Sequence, residues 1–155
     1  MKLNRNQIWG ALAMSLLFVA QAGMASAAES KLKKTQLPAA VQKAADELAK
    51  DSQIVGYAKE TENGKTFYEV ETKKGALTKD VQFDEQGNTV SVEQEVELTS
   101  LPPAVQDGLK KAAGKGKITK VETITKGSTV TYEAAVKGGP KKEILVDANG
   151  APIKD

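Results

Sequence analysis

The sequence predicts an α+β fold: two tandem α-β-β-β-β units forming an antiparallel sheet with helices on one face. Three observations predict it. The stretch LPAAVQKAADELAK, beginning at Leu37, is echoed by LPPAVQDGLKKAAG, beginning at Leu101. Each stretch carries its apolar residues at helical spacing. Each is followed by segments in which apolar and charged residues alternate, as in strands half buried against a core.

The echo continues past the helices. At an offset of 64, Pro38 meets Pro102, Val41 meets Val105, Gln42 meets Gln106 and Ile54 meets Ile118. Tyr68-Glu69 then meets Tyr132-Glu133, and Gly75 meets Gly139. After a one-residue slip, Val81, Phe83, Asp84 and Gly87 meet Ile144, Val146, Asp147 and Gly150. Matches in that number and order imply an internal duplication, with units at residues 37–98 and 101–155. A unit of about 60 residues buries only roughly 60% of its chain surface and is marginal alone. The two are therefore expected to share a sheet edge or a core.

Taken in order, the first helix places Val41, Ala44, Ala45 and Leu48 on one face, with Pro38 in its first turn, where a missing N–H is tolerated. An Ile-led strand comes next, at Ile54. Asn63-Gly64 is a hairpin turn. TFYEVET sets Thr66, Tyr68, Val70 and Thr72 on one side and Phe67, Glu69 and Glu71 on the other. VQFD is a third strand. TVSVEQEVEL is a fourth, with Val90, Val92, Val96 and Leu98 opposite Glu93, Glu95 and Glu97. In the second unit, Val105, Leu109 and Ala112 make the helical face, Gly114 caps it, and Lys126-Gly127-Ser128 takes the place of the hairpin turn. ILVD is the third strand, and only APIK stands where a fourth would be, so that strand is short or missing. Strands with one apolar and one charged face suit an antiparallel sheet wetted on one side, which leaves the carboxylate rows Glu69/Glu71 and Glu93/Glu95/Glu97 in solvent.

Residues 1–27 read as a secretory signal peptide. Lys2 and Arg5 precede the apolar run from Ile8 to Ala25, and Ala25-Ser26-Ala27 supplies the small residues for cleavage after Ala27, with Ala28 the next choice. A membrane anchor fits less well, since Ser15, Gln21 and Gly23 interrupt the run. Residues 28–36, containing KLKK, read as a flexible N-terminal tail. Cleavage removes the only Trp, the only Arg and all three Met, leaving 20 Lys against 20 Asp and Glu. With no Cys, no disulfide and no lipid anchor on a thiol are possible, so the exported chain is expected to hold by burial alone, without a membrane anchor.

LPAAV at a helix start, the Ile-led strand, NGKTFYEVE, VQFDEQGN and ILVDANG together resemble PepSY-like domains, and more narrowly the exported tandem type called β-lactamase-inhibitor-like. The resemblance covers Leu37 to about Ile153. It implies a non-enzymatic module in the bacterial periplasm or outside the cell, with a protein partner there. Wider relatives occur in propeptides of exported metalloproteases, which they inhibit or chaperone. Contact residues for a lactamase are not part of the shared motifs, so the name carries no lactamase inhibition.

Composition removes many chemistries. Without His or Cys there is no Ser-His or Cys-His nucleophile system and no imidazole or thiolate metal site. A glycosidase would need two carboxyls across a cleft, one raised by burial, and rows expected to be solvated do not meet that. DEQGN from Asp84 and DANG from Asp147 resemble the opening of a calcium loop, which also needs further oxygen ligands and a Glu at its twelfth position. The same residues suit hairpin turns in which Asp accepts a backbone N–H and Gly takes positive φ. AAGKGKITK is not a phosphate loop, since Ala113 stands where a Gly is required. Export, zero net charge and no stacking aromatics near the lysines argue against nucleic acid. No cofactor or metal is expected. Residues 28–100 carry a net −4 and residues 101–155 a net +4, which suits solvated faces, docking of the two units, or steering of a charged partner.

The leading expectation is an exported binding or inhibitory module for another envelope or secreted protein. The alternative is a periplasmic small-ligand or cation (calcium) sensor. The expected partner face holds Phe67, an aromatic ringed by Glu69 and Glu71 and extended by Glu93 and Glu95; cover by the second unit is the rival fate for Phe67. Intact-mass measurement of the exported protein should show a chain beginning at Ala28 or Glu29. A product that retains the fluorescence of Trp9 would contradict the cleaved form.

Overall fold

The computed structural model of the chain describes residues 30–62 and 64–153. The expected signal segment and the cleavage positions Ala27 and Ala28 lie outside these residues. The elements run β1 (Ser30–Lys31), α1 (Ala39–Leu48), β2 (Gln53–Glu62), β3 (Lys65–Lys74), β4 (Leu77–Phe83), β5 (Thr89–Glu95), α2 (Pro103–Ala113), β6 (Lys117–Lys126), β7 (Thr129–Lys137) and β8 (Glu143–Val146). Eight strands form one sheet in sequence order, and every neighbouring pair is antiparallel. Where the sequence leads one to expect a last strand, only an isolated bridge between Val146 and Pro152 forms.

Both helices open on the same device. Pro38 and Pro102 stand at the N-cap, each with φ −54°, and proline offers no side-chain acceptor there. One turn later Gln42 and Gln106 fold back, and each Nε2 donates to the carbonyl of Leu37 or Leu101 at 2.9 Å. That bond fixes the chain's entry to the helix and explains why the glutamine recurs. Gly114, at φ 58°, ends α2 as a glycine cap should. α1 has no such glycine, and the Ser52 hydroxyl donates to the Leu48 carbonyl at 2.8 Å instead. Gly64 and Gly127, at φ 75° and 59°, turn the β2–β3 and β6–β7 hairpins.

The apolar faces meet as their spacing requires. Val41 and Ala45 of α1, with Leu37, cover Tyr68, Val70, Val81 and Phe83. Val105, Leu109 and Ala113 of α2, with Leu101, cover Val121, Ala134, Val136, Ile144 and Val146; Ala112 packs at the edge of this cluster. Register sets Val81 opposite Val92 and Val92 opposite Thr125, so both clusters lie on one face of the sheet.

The expected tail is not a free tail over the described residues. Ser30 and Lys31 pair with Lys59 and Ala58, and the Leu32 N–H donates to the Tyr57 carbonyl at 2.8 Å. Leu32 packs on the first cluster, and Lys34 pairs with Asp46 of α1. Leu32 adds an apolar contact to these bonds, which a reading of KLKK by charge overlooks.

Bulges interrupt the register at Ile54/Gly56, at Gln82/Phe83 and at Ile118/Lys120, and bulges increase local twist. The sheet curls away from the helices. Lys126 of β6 perturbs Glu62 of β2 electrostatically, although a flat sheet would hold strands four apart at about 19 Å, beyond the screening length of about 8 Å in physiological salt.

The Asp147–Gly150 turn presses against α2. A Cβ on Gly150, whose φ is 77°, would lie 2.1 Å from the Ala104 carbonyl oxygen, and one on Gly108 would lie 2.2 Å from the Gly150 oxygen. Gly127 has open space around it at a similar φ of 59°. Gly150→Ala should therefore destabilise by about 3 kcal/mol or more, because strain adds to a backbone clash. Gly127→Ala should lose only about 1 kcal/mol. Denaturant melts of the two variants test the contrast, and equal losses would contradict the close turn–helix contact.

Candidate functional site: a buried carboxylate face

The face opposite the helices is carboxylate-rich from β2 to β7. Strand alternation puts it there: on β3, Tyr68 and Val70 point to the core, so Phe67, Glu69 and Glu71 point the other way. Register then lines the strands up. Glu71 stands opposite Asp80, and Asp80 opposite Glu93. Glu95 stands opposite Glu122, and Glu122 opposite Glu133. A third row runs Glu69, Gln82, Ser91 and Lys126.

Like charges directly opposite one another on a sheet are unfavourable, and these rows are also withdrawn from water. Glu69 is 8% exposed and Glu93 is 9% exposed. The expectation of solvated rows is therefore corrected for Glu69 and Glu93; Glu71 and Glu95 are half-buried, and Glu97 is exposed as expected. No helix covers Glu69 or Glu93 among the described residues; crowding on the curled face buries them. Glu71 leans over Gly56, whose missing side chain leaves the room, with carboxylate atoms within 3 Å of where a Cβ would sit.

Burial is the main cause of the raised pKa values on this face. It raises Asp80 to about 7, with Glu71, Glu122 and Glu95 adding to the effect and Lys120 opposing it. It raises Glu93 to about 8, helped by Glu122, Glu133, Asp80 and Glu60. Glu69 is raised well above the carboxylate range by burial and then by Glu60, Asp80, Glu71 and Glu93. Glu62 is raised by burial and by Glu60, while Lys126 opposes. Burial lowers Lys126, and Glu62 resists that. Lys120 lies 2.7 Å from Glu122 Oε1 in an ionic contact that sits outside hydrogen-bond alignment.

The sequence-predicted residues separate on this face. Phe67 is half-buried beside Glu69. Glu69, Glu71 and Glu93 join one electrostatic cluster through Asp80. Glu95 is turned to its neighbour strand, where it accepts from the Thr78 N–H at 3.2 Å and the Thr78 hydroxyl at 3.0 Å. Sequence reasoning misses Asp80, Gln82, Glu60 and Glu122. The signal for Asp80 and Gln82 is their alternation with Val81 and Phe83, in a strand whose apolar half dominates its pattern. The ground for setting aside a carboxylate enzyme also changes, since Glu69, Asp80 and Glu93 are buried and raised. They stand on adjacent strands of one sheet face, whereas the two carboxyls of a glycosidase flank the scissile bond.

The Asp turns are turns. Asp84 accepts from the Asn88 N–H at 2.8 Å and from Asn88 Nδ2 at 2.9 Å, with Gly87 at φ 80°. Asp147 Oδ1 accepts from the Asn149 and Ala151 N–H groups at 2.8 and 2.9 Å. Among the described residues, no three acidic side chains are grouped to hold a metal ion.

A carboxyl raised on folding binds protons in the native state that it would release when unfolded. Its stabilisation is complete below the unfolded value near 4 and is lost as pH rises through the folded value. Between about pH 4.5 and 8, stability should therefore fall with rising pH, by about 1.4 kcal/mol for each pKa unit that a group is raised. Calorimetry should give a higher Tm at pH 5.5 than at pH 8.5, and Asp80→Asn with Glu93→Gln should flatten the difference. A Tm that climbs with pH over this window would contradict the buried cluster.

A protein from Bacteroides eggerthii described as periplasmic has a similar fold, with TM-score 0.61 and 18% identity over 76% of this chain and 86% of that one. A DUF2874 family protein from Bacteroides uniformis gives 0.59 and 20% over 76% and 86%. A BLIP-like protein from Bacteroides fragilis gives 0.56 and 19% over 74% and 82%. None of the curated proteins compared with the chain matches it. The family model for beta-lactamase-inhibitor-like, PepSY-like proteins matches residues 23–79 and 66–154. With both halves matched and the fold shared, the chain belongs to the β-lactamase-inhibitor-like, PepSY-like family.

Proposed function

We propose that the chain is an exported, non-enzymatic binding or inhibitory module that engages another envelope or secreted protein through its carboxylate face. The observation that carries this reading is the side of the sheet that no helix covers among the described residues. Both helices pack on one side, and on the other, polar side chains from β2 to β7 crowd together with the half-buried Phe67. A broad polar face with an aromatic anchor suits a protein surface better than a small ligand. Family membership, the secretory layout of residues 1–27 and relatives described as periplasmic support export to the periplasm or beyond.

Within the same reading, residues 37–98 and 101–155 are two copies of one unit fused through β5 and β6. Three recurring details support it. Gln42 and Gln106 make the same helix-entry bond. Bulges recur at Ile54 and Ile118. Gly87 and Gly150 sit against the Ala40 and Ala104 carbonyls.

Phe67→Ser tests the face. The tagged protein is used to capture its partner from periplasmic extract, and the affinity of the purified pair is then measured. The variant should lose at least tenfold in affinity, while a surface-like change of about 0.5 kcal/mol moves Tm by only about 2 °C. Undiminished binding would remove Phe67 from the contact. A large drop in Tm would mean that Phe67 is packed within the fold.

A further inference from the structure

Gln82 lies in the middle of the carboxylate face, opposite Glu69 on one side and Ser91 on the other. It is 3% exposed, its Nε2 donates to Glu60 Oε2 at 2.8 Å, and its Oε1 has no hydrogen-bond partner. A buried amide oxygen without a donor is unfavourable, and native proteins seldom leave one so. Nearby on that face stand Glu60 of β2, Glu69 and Glu71 of β3, Asp80 of β4 and Glu93 of β5, and ionised carboxylates only accept. The face also holds Glu62, Glu95, Glu122 and Glu133. Of its lysines, Lys31, Lys65 and Lys73 are exposed at the rim, and the two of β6 are engaged elsewhere, Lys120 with Glu122 and Lys126 in the field of Glu62.

We propose that this position seats a cationic side chain of the protein partner, a lysine ammonium or arginine guanidinium, which donates to Gln82 Oε1 and to the carboxyls of Glu60 and Glu69 and enters in exchange for protons. The inference rests on reading this face as the partner surface. Ammonium and guanidinium groups carry several N–H donors and no acceptor, the complement of Gln82 Oε1 and of the neighbouring carboxyls once they are ionised. An organic cation suits the place better than a metal, because no three described acidic groups converge on one point and because the unpartnered atom is an amide oxygen.

The exchange arises from the same crowding. Burial and crowding let Glu69 and Glu93 keep their protons at neutral pH. A cation brought beside them favours the ionised form. Each exchanged carboxyl becomes a carboxylate, its proton passes to the buffer, and no electron moves. Only the ionised fraction is competent to bind, so apparent affinity rises about tenfold per pH unit while one proton is displaced. The face would then discriminate a basic residue from its neutral isostere and bind more weakly in acid.

The test is calorimetric titration of the exported protein with a blocked Gly-Lys-Gly-Arg-Gly peptide at pH 6 and pH 7, in buffers of different ionisation heat. Expected are a roughly tenfold gain in affinity over that pH unit, release of about one proton per peptide, and no binding by a peptide with norleucine and citrulline in place of Lys and Arg. Gln82→Leu should lose at least tenfold in affinity. Glu69→Gln, which keeps the shape, should lose the proton release, and it serves alone if Gln82→Leu does not fold. Absent binding, equal binding of the neutral peptide, or affinity unchanged in Glu69→Gln with no proton released from the native protein would each overturn the proposal. A silent peptide beside Phe67-dependent partner capture would sink only this inference; loss of that dependence would sink the partner reading itself.

Discussion

The ladder between β5 and β6 makes this molecule one structure. It pairs Ser91 to Glu95 with Lys126 to Glu122, joining the strands under α1 to those under α2. Without it there would be two small sheets, each with a long bare edge, which invites aggregation. With it, both apolar clusters share a single face, and each helix covers its own cluster on a common support. The same ladder sets Glu95 against Glu122 and Glu93 against Ile124, and so extends the carboxylate rows from β3 across to β7. Fold and candidate site thus depend on the same cross-strand bonds.

Both helices here cover the same side of the sheet. The other side must be wet, covered by a partner, or curled upon itself, and this chain curls. Bulges at equivalent places bend the strands, and the bend crowds side chains that a flatter sheet would leave in water. Crowded carboxylates repel one another and lose hydration, so protons become part of the structure near neutral pH. Natural proteins accept such locally unfavourable arrangements mainly where function requires them. That asymmetry, a well-packed helix side against a frustrated carboxylate side, is the physical basis for looking for function on the latter.

Much of the fold is legible from the residues in order. Helix faces, hairpin glycines, the Gly114 cap and the weak last strand follow from local pattern, and local pattern is carried by residues a few positions apart. Aligning the two halves even marks Gln42 and Gln106, although their reason, a side chain standing in for a cap that proline cannot provide, needs coordinates. The segment before α1 reads as a tail because Leu32 finds its pocket only once β2 and α1 are placed. Asp80 and Gln82 escape a reading by pattern because Val81 and Phe83, the core-facing half, dominate their strand.

Away from the bulges, the sequence by itself determined which side of its strand a residue takes, since backbone geometry alternates side chains without reference to the rest of the chain. Period two therefore put Phe67, Glu69, Glu71, Glu93 and Glu95 on one face, and periods near 3.6 put the helix stripes on the other. Only the tertiary structure decided what that face is. Whether a glutamate is solvated or holds a proton depends on strands two to four places away, on the bulges that bend the sheet, and on which neighbour stands opposite. Glu93 is raised first by burial and then by Glu122 and Glu133 of the second half, and Glu62 feels Lys126 across the curl. These are electrostatic sums over distance and burial, and no spacing within a single strand encodes them.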